Sequence, residues 1–232
     1  MQIELESTPS FGMAVVTLDA GEVLTAESGS MVAMTTGLQV DTTFNGTGGG
    51  GLFDFLQAAF VGLVRKFLAG ETLFVNRYTA SRAGQQVMLA PAMVGDVRAI
   101  ALGQGRKITV QASSYLASSQ GVTVDLIWGG FAMLFGGGGA FFLACRGTGD
   151  LLINAYGALD EVEVEGAYVV DTGHVVAFEG DLRYTLRRVG GWKSTLLSGE
   201  GVVLEFTGKG KVWLQTRNLG ALVGWLSPLL PK

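Results

Sequence analysis

One stretch of this chain is written more than once, and that repetition constrains its fold more than any other feature. Residues 105–125, GRKITVQASSYLASSQGVTVD, set beside residues 21–41, GEVLTAESGSMVAMTTGLQVD, agree at a single offset of 84. Gly21, Thr25, Ser30, Ala33, Gly37, Val40 and Asp41 fall on Gly105, Thr109, Ser114, Ala117, Gly121, Val124 and Asp125. Other positions swap like for like: Leu24 for Ile108, Val32 for Leu116, Leu38 for Val122. A fainter copy covers 167–186, where an offset of 60 puts Val170 and Ala177 on Val110 and Ala117. A unit repeated in this way stacks on its neighbours and shares one core with them.

The period inside each unit is two, which is the period of strands. Strands are predicted at 2–6, 12–18, 23–27, 28–34 and 38–44, with Gly37 as punctuation. Each unit is then expected to close with a second hairpin. FLACRGTGDLLIN at 142–154 matches VLEFTGKGKVWLQ at 203–215 at an offset of 61, and its GTG and GKG are read as hairpin turns. The counterpart in the first unit is 73–90, turning at 81–84.

Two segments break the pattern. In residues 52–69, LFDFLQAAFVGLVRKFLA, Leu52, Leu56, Phe60, Leu63 and Phe67 share one face at helical spacing, which predicts an inserted amphipathic helix. Its leading expected role is to cap the core. Residues 218–226 predict a short apolar helix stopped by Pro228. The expected fold is therefore all-β with one inserted helix and a short C-terminal helix. It forms a single domain of three tandem repeats, 1–100, 101–158 and 159–217, with a tail at 218–232.

Composition narrows the function. Glycine accounts for 36 of the 232 residues and charged residues for only 16%. Such a chain suits tight turns and close backbones, and its apolar excess favours self-association. The net charge of −4, with no run of Lys or Arg, disfavours nucleic acid. The N-terminus, MQIELESTPS, lacks the basic start and apolar core of a signal peptide. The glycine-rich apolar run 127–145 is not expected to span a membrane, because six glycines make a poor helix. The lone Cys145, in FFLACRG, fits a buried apolar role and a reducing, cytoplasmic setting.

The chain is poor in chemistry. One His and one Cys cannot supply an ordinary zinc or iron ligand set, so no metal or cofactor is expected. His174, in VDTGHVVAF, has Asp171 three residues earlier, where a carboxylate could orient it. Ser30 and Ser114 occupy the matching places in the other copies, which favours a structural slot over catalysis. Glu200 and Arg217 flank the last hairpin and are read as a buried ion pair or a subunit contact. A pocket between units, lined by Trp128, Phe131, Trp192 and Trp213, is the candidate for a small ligand.

ESGSMVAM, ETLFVNRY, LAPAMVGD, VDTGHVVAFEGDL and SGEGVVLEFTGKGKVWLQTRN together resemble, in this order, the altered-inheritance-of-mitochondria (mitochondrial biogenesis) family and its bacterial relatives. The resemblance covers nearly the whole chain. It implies a double-stranded β-helix with repeats like the tryptophan RNA-binding attenuator protein, and a bacterial member of the family. The mitochondrial members are associated with inner-membrane organisation, and the resemblance carries over no catalytic residues. RNA binding does not follow from the fold alone. The expected function is a non-enzymatic, self-associating scaffold or binding protein, a homo-oligomer with a trimer favoured. The alternatives are small-ligand binding, or contact with a membrane surface through the 52–69 helix. That helix carries only Arg65 and Lys66 as basic residues, which makes the membrane the less favoured partner.

Overall fold

Alternating apolar residues between glycine turns produce strands along almost the whole chain. A computed structural model describes residues 1–44, 74–127, 142–188 and 202–230. The predicted helix at 52–69 lies outside the described residues. The first five strands fall close to where alternation predicts them: β1 (Gln2–Glu6), β2 (Met13–Leu18), β3 (Val23–Glu27), β4 (Met31–Met34) and β5 (Gln39–Phe44). They are followed by β6 (Phe74–Thr79), β7 (Gln85–Leu89), β8 (Val97–Leu102), β9 (Lys107–Gln111), β10 (Tyr115–Ser119) and β11 (Val122–Ile127). The series ends with β12 (Phe142–Gly147), β13 (Gly149–Asn154), β14 (Leu159–Asp171), β15 (Val175–Arg188) and β16 (Val202–Gln215). One short helix, α1 (Leu219–Leu226), follows, its first turn capped by the Asn218 side chain accepting from the Ala221 N–H.

The strands form three sheets, and none closes on itself. The first has the order β1-β2-β7-β4, the middle one β5-β6-β3-β10-β13-β8, and the last β11-β12-β9-β15-β16-β14. All the strand pairs are antiparallel. Three apolar clusters lie among these layers. Val16, Leu18, Val87 and Leu89 of the first sheet pack with Leu24, Tyr78, Leu116 and Leu152 of the middle one. Ile100, Leu151 and Ile153 of the middle sheet pack with Ile108, Val110, Cys145 and Trp213 of the last. The middle sheet is thus covered on both faces, and Leu151–Ile153 is buried at every position rather than at every second one.

The third cluster belongs to the last sheet alone. Val175, Phe178, Leu204, Phe206 and Val212 pack together there, with the Phe178 ring 5.0 Å from Tyr184 and 5.2 Å from Phe206. Strands β14, β15 and β16 can enclose a core of their own because all three are long and bend. Glycines at positive φ, namely Gly166, Gly180 and Gly208, lie beside one another across the three strands, with Gly166 opposite Gly208 and Gly180 opposite Gly210.

This corrects the reading of GTG and GKG as hairpin turns. β16 runs through Gly208-Lys209-Gly210 without interruption, paired with β14 on one side and β15 on the other. At Gly147-Thr148-Gly149 the chain leaves the last sheet as β12 and enters the middle sheet as β13, and the two strands do not pair. The turn at 81–84 likewise carries the chain from β6 in the middle sheet to β7 in the first. Glycine serves here to bend a strand around a corner. A Cβ on Gly208 would lie 2.2 Å from the Asp181 carbonyl oxygen, and one on Gly147 would lie 2.2 Å from that of Gly121.

Candidate functional site

The corner where β14 passes into β15 brings together Asp171 and His174, two of the polar side chains singled out in the sequence. A single 3-10 turn, Thr172–His174, joins the strands, and the Asp171 carboxylate caps it by accepting from the Gly173 N–H at 2.8 Å. His174 Nδ1 lies 2.7 Å from the carbonyl oxygen of Gln215 at the end of β16. A carbonyl only accepts, so Nδ1 carries the proton and donates. The Gln215 side chain closes the corner, its Nε2 donating to the Gly173 carbonyl at 2.8 Å and its Oε1 accepting from the Tyr156 N–H at 2.9 Å. Asn218 Nδ2 reaches Asp171 at 3.5 Å while Asn218 Oδ1 caps α1, so the same corner anchors the helix.

Beside this corner lies a cleft of about 310 Å³, lined by Tyr156, His174, Arg217 and, from α1, Ala221, Leu222 and Trp225. His174 and Asp171 come close in space without forming a dyad. The carboxylate is committed to the turn and to Asn218, and the ring to a backbone carbonyl. Thr216, the one hydroxyl of the cleft wall besides Tyr156, accepts from the Ala158 N–H at 2.9 Å. The arrangement can hold an aromatic or apolar group against Tyr156 and Trp225, with His174 as its polar contact.

Of the other predicted site residues, Arg217 reaches the cleft wall. It is exposed rather than buried, and its backbone N–H bonds the Tyr156 carbonyl at 3.1 Å. Glu200, Trp128, Phe131 and Trp192 lie outside the described residues. Trp213 is fully inside the core between the middle and last sheets, its Nε1 donating to Glu161 at 3.0 Å, so it lines no open pocket. Glu161 also accepts from Lys211 at 2.6 Å, and that ammonium holds its carboxyl below the ordinary carboxylate range. Cys145 is wholly buried, and burial pushes its thiol up to about 12, which leaves no thiolate at neutral pH.

A second groove lies on the last sheet, lined by Lys107, Thr109, Asp125, Arg146, Glu179 and Tyr184 among others. Its charges largely answer one another. Glu179 accepts from Arg106 at 2.6 and 2.8 Å, and Asp125 lies 3.8 Å from Arg146. Among the described residues no three His, Cys, Asp or Glu side chains converge as metal ligands do, and no helix is long and apolar enough to cross a membrane.

Sequence reasoning missed Gln215, Asn218, Tyr156 and Trp225. A signal for Gln215 was present, because the offset of 61 sets it on Asn154. Asn154 Nδ2 bonds the Ser113 carbonyl at 3.4 Å, as Gln215 Nε2 bonds the Gly173 carbonyl, and Ser113 and Gly173 are themselves 60 apart. Tyr156 stands just beyond the aligned segment 142–154 and Trp225 beyond the last repeat, and neither carried such a mark.

The comparisons with known proteins agree with one another. An uncharacterized protein of Streptococcus pyogenes serotype M6 is 28% identical over 235 residues, spanning 100% of this chain and 92% of that one. The X-ray crystal structure of protein SPYM3_0169 from Streptococcus pyogenes, a structural-genomics target, superimposes with a TM-score of 0.80 at 26% identity over 99% of each chain. The family model described as Mitochondrial biogenesis AIM24 matches residues 3–217, and the chain belongs to that family.

Proposed function

We propose that this protein works without catalysis, as a self-associating scaffold or binding protein of the cytoplasm built from three repeats of a double-stranded β-helix. The observation that carries self-association is the apolar surface at the C-terminus. No residue of α1 is buried, and Leu219, Val223, Trp225 and Leu226 stand exposed together with Leu229 and Leu230 just beyond. A contiguous patch of this kind on a soluble chain marks a contact surface. A membrane is the weaker partner for it, since Lys232 is the one basic side chain of residues 218–232 and the chain as a whole is acidic.

The repeat is supported by pairing. β2, β3, β4, β6 and β7 are connected as β2–β7, β4–β7 and β3–β6, and β8, β9, β10, β12 and β13 repeat the pattern as β8–β13, β10–β13 and β9–β12. The halves of β14 and β15 pair with the halves of β16 in the same order. Size exclusion with light scattering tests the function. The full chain is expected to elute above monomer mass at micromolar concentration, a trimer being the favoured state, and to lose mass when truncated after Arg217. A monomer throughout would overturn the reading. The cleft beside His174 favours a second reading, small-ligand binding, which a thermal shift with aromatic metabolites would reveal.

A further inference from the structure

The three units are joined inside the chain by one repeated contact. β3 pairs with β10 through Ala26↔Ala117, Thr25↔Ser118 and Leu24↔Ser119. β9 pairs with β15 through Val110↔Ala177, Thr109↔Phe178 and Ile108↔Glu179. The second set is the first moved along by 84 on one strand and 60 on the other, so both joints have the same register. Each joint needs two edges, and among the described residues one of each is left unpaired. At the first unit the place of β10 is taken by β4, the edge of the first sheet. At the third unit the place of β9 is taken by the second half of β14, the edge of the last sheet.

We propose that copies of this chain join head to tail, the second half of β14 of one copy pairing with β4 of the next in this same register. Val170, Val169 and Tyr168 would then face Ala33, Met34 and Thr35. The proposal rests on the three-repeat reading and names strand edges that self-association requires in addition to the exposed apolar face of α1.

Burial argues for it. Met34 stands where Ser118 and Phe178 stand in the internal joints, and Val169 where Thr25 and Thr109 stand. Ser118, Phe178 and Thr109 are 2, 5 and 4% exposed and Thr25 is half-buried, whereas Met34 is 43% and Val169 55% exposed. Edge chemistry argues independently. Exposed edges are normally guarded by charge. Here β1 carries Glu4 and Glu6, β5 Asp41, β8 Arg98, β11 Asp125, and the first half of β14 Asp160, Glu161, Glu163 and Glu165. β4, MVAM, carries none, and β14 carries none over GAYVV, between Glu165 and Asp171. They are the two edges that the joint leaves over. Pairing of this kind is strand addition, with main-chain hydrogen bonds supplying affinity and the facing side chains supplying register. Because the two edges differ, the contact is heterologous and propagates into a ring or a filament.

Sedimentation velocity on full-length Met34→Lys and Val169→Lys tests the contact, each lysine placing a charge in the joint. The wild type is expected to assemble, each variant alone to run as a monomer, and an equimolar mixture to form a dimer and nothing larger. The mixture holds one intact joint, between Val169 of the first variant and Met34 of the second, and its dimer shows that both variants are folded. An assembled wild type whose variants stay assembled, or of which only one dissociates, or whose mixture stays monomeric, overturns the head-to-tail joint and leaves self-association standing. A monomeric wild type removes both.

Discussion

At the scale of single residues, the side chains that look chemically able are mostly spent on the backbone. His174 fills the place that Ser114 and Ser30 fill in the other copies, and all three are buried or half-buried at a strand corner. In the first copy the Ser30 hydroxyl donates to the Glu27 carbonyl at 2.7 Å, and in the third His174 Nδ1 donates to Gln215. Glu161 is a carboxylate with stability to lose on acidification. It accepts from Lys211 and from the Trp213 indole, with the Arg98 guanidinium 4.0 Å away. Its folded pKa is depressed, so its contribution to stability is complete above the ordinary carboxylate range. That contribution is lost as pH falls through the lower, folded value. Thermal melts from pH 7 down to pH 3 should find Glu161→Gln less stable than the wild type at neutral pH. The two curves should converge in acid, because only the wild type has an ionised carboxylate to lose. Parallel curves would show that the contacts of Glu161 carry no stability.

At the scale of elements, glycine decides where strands bend, and the bend at Gly208 can be separated from an ordinary positive-φ cost. Gly166 and Gly208 face each other across β14 and β16, both at positive φ. A Cβ on Gly166 meets nothing within 4 Å, whereas one on Gly208 would sit 2.2 Å from the Asp181 carbonyl oxygen. Gly166→Ala should therefore cost about 1–2 kcal/mol, from backbone strain alone. Gly208→Ala should cost about 3 kcal/mol or more, since backbone must move as well. Urea unfolding of the two variants checks this, and equal losses would show that the close approach is not what requires glycine. This pair also explains what was legible in the sequence. Alternation and glycine punctuation marked β1, β2, β3 and β5 to within a residue, with β4 starting three residues later than predicted. The offset of 61 aligned Gly147 and Gly149 with Gly208 and Gly210. Hairpin turn and strand bend remained indistinguishable, because both need positive φ. What separates them is whether strands lie on both sides, and β14 and β15 are brought there by the tertiary fold. The site was legible only as a set of polar residues. Which backbone groups Asp171, His174 and Gln215 satisfy depends on a corner closed by Tyr156 and Asn218.

At the scale of the whole molecule, the middle sheet makes the stack one cooperative unit. Leu152 of β13 packs with Val16, Leu18, Val87 and Leu89 from the first sheet, while its neighbours Leu151 and Ile153 pack with Ile108, Val110 and Trp213 from the last. Three consecutive buried residues thus touch cores on both sides, and neither outer sheet keeps its apolar face covered if the middle one opens. Solenoids whose repeats touch only through modest interfaces unfold piecemeal. A sheet buried on both faces couples its neighbours more strongly than that. Replacing Leu152 by Ala removes a fully buried side chain and should cost about 2–5 kcal/mol. The whole transition should shift to lower denaturant with an unchanged slope. Far-ultraviolet circular dichroism reports on the strands of the whole stack. The fluorescence of Trp213, read against a Trp213→Phe control because the chain has four tryptophans, reports on the core between the middle and last sheets. Coincident curves from the two probes, displaced together in the variant, are the expected result. A first sheet that melted early in Leu152→Ala while Trp213 stayed buried would show instead that the units are held one by one, and that the shared cores add contact without adding cooperativity.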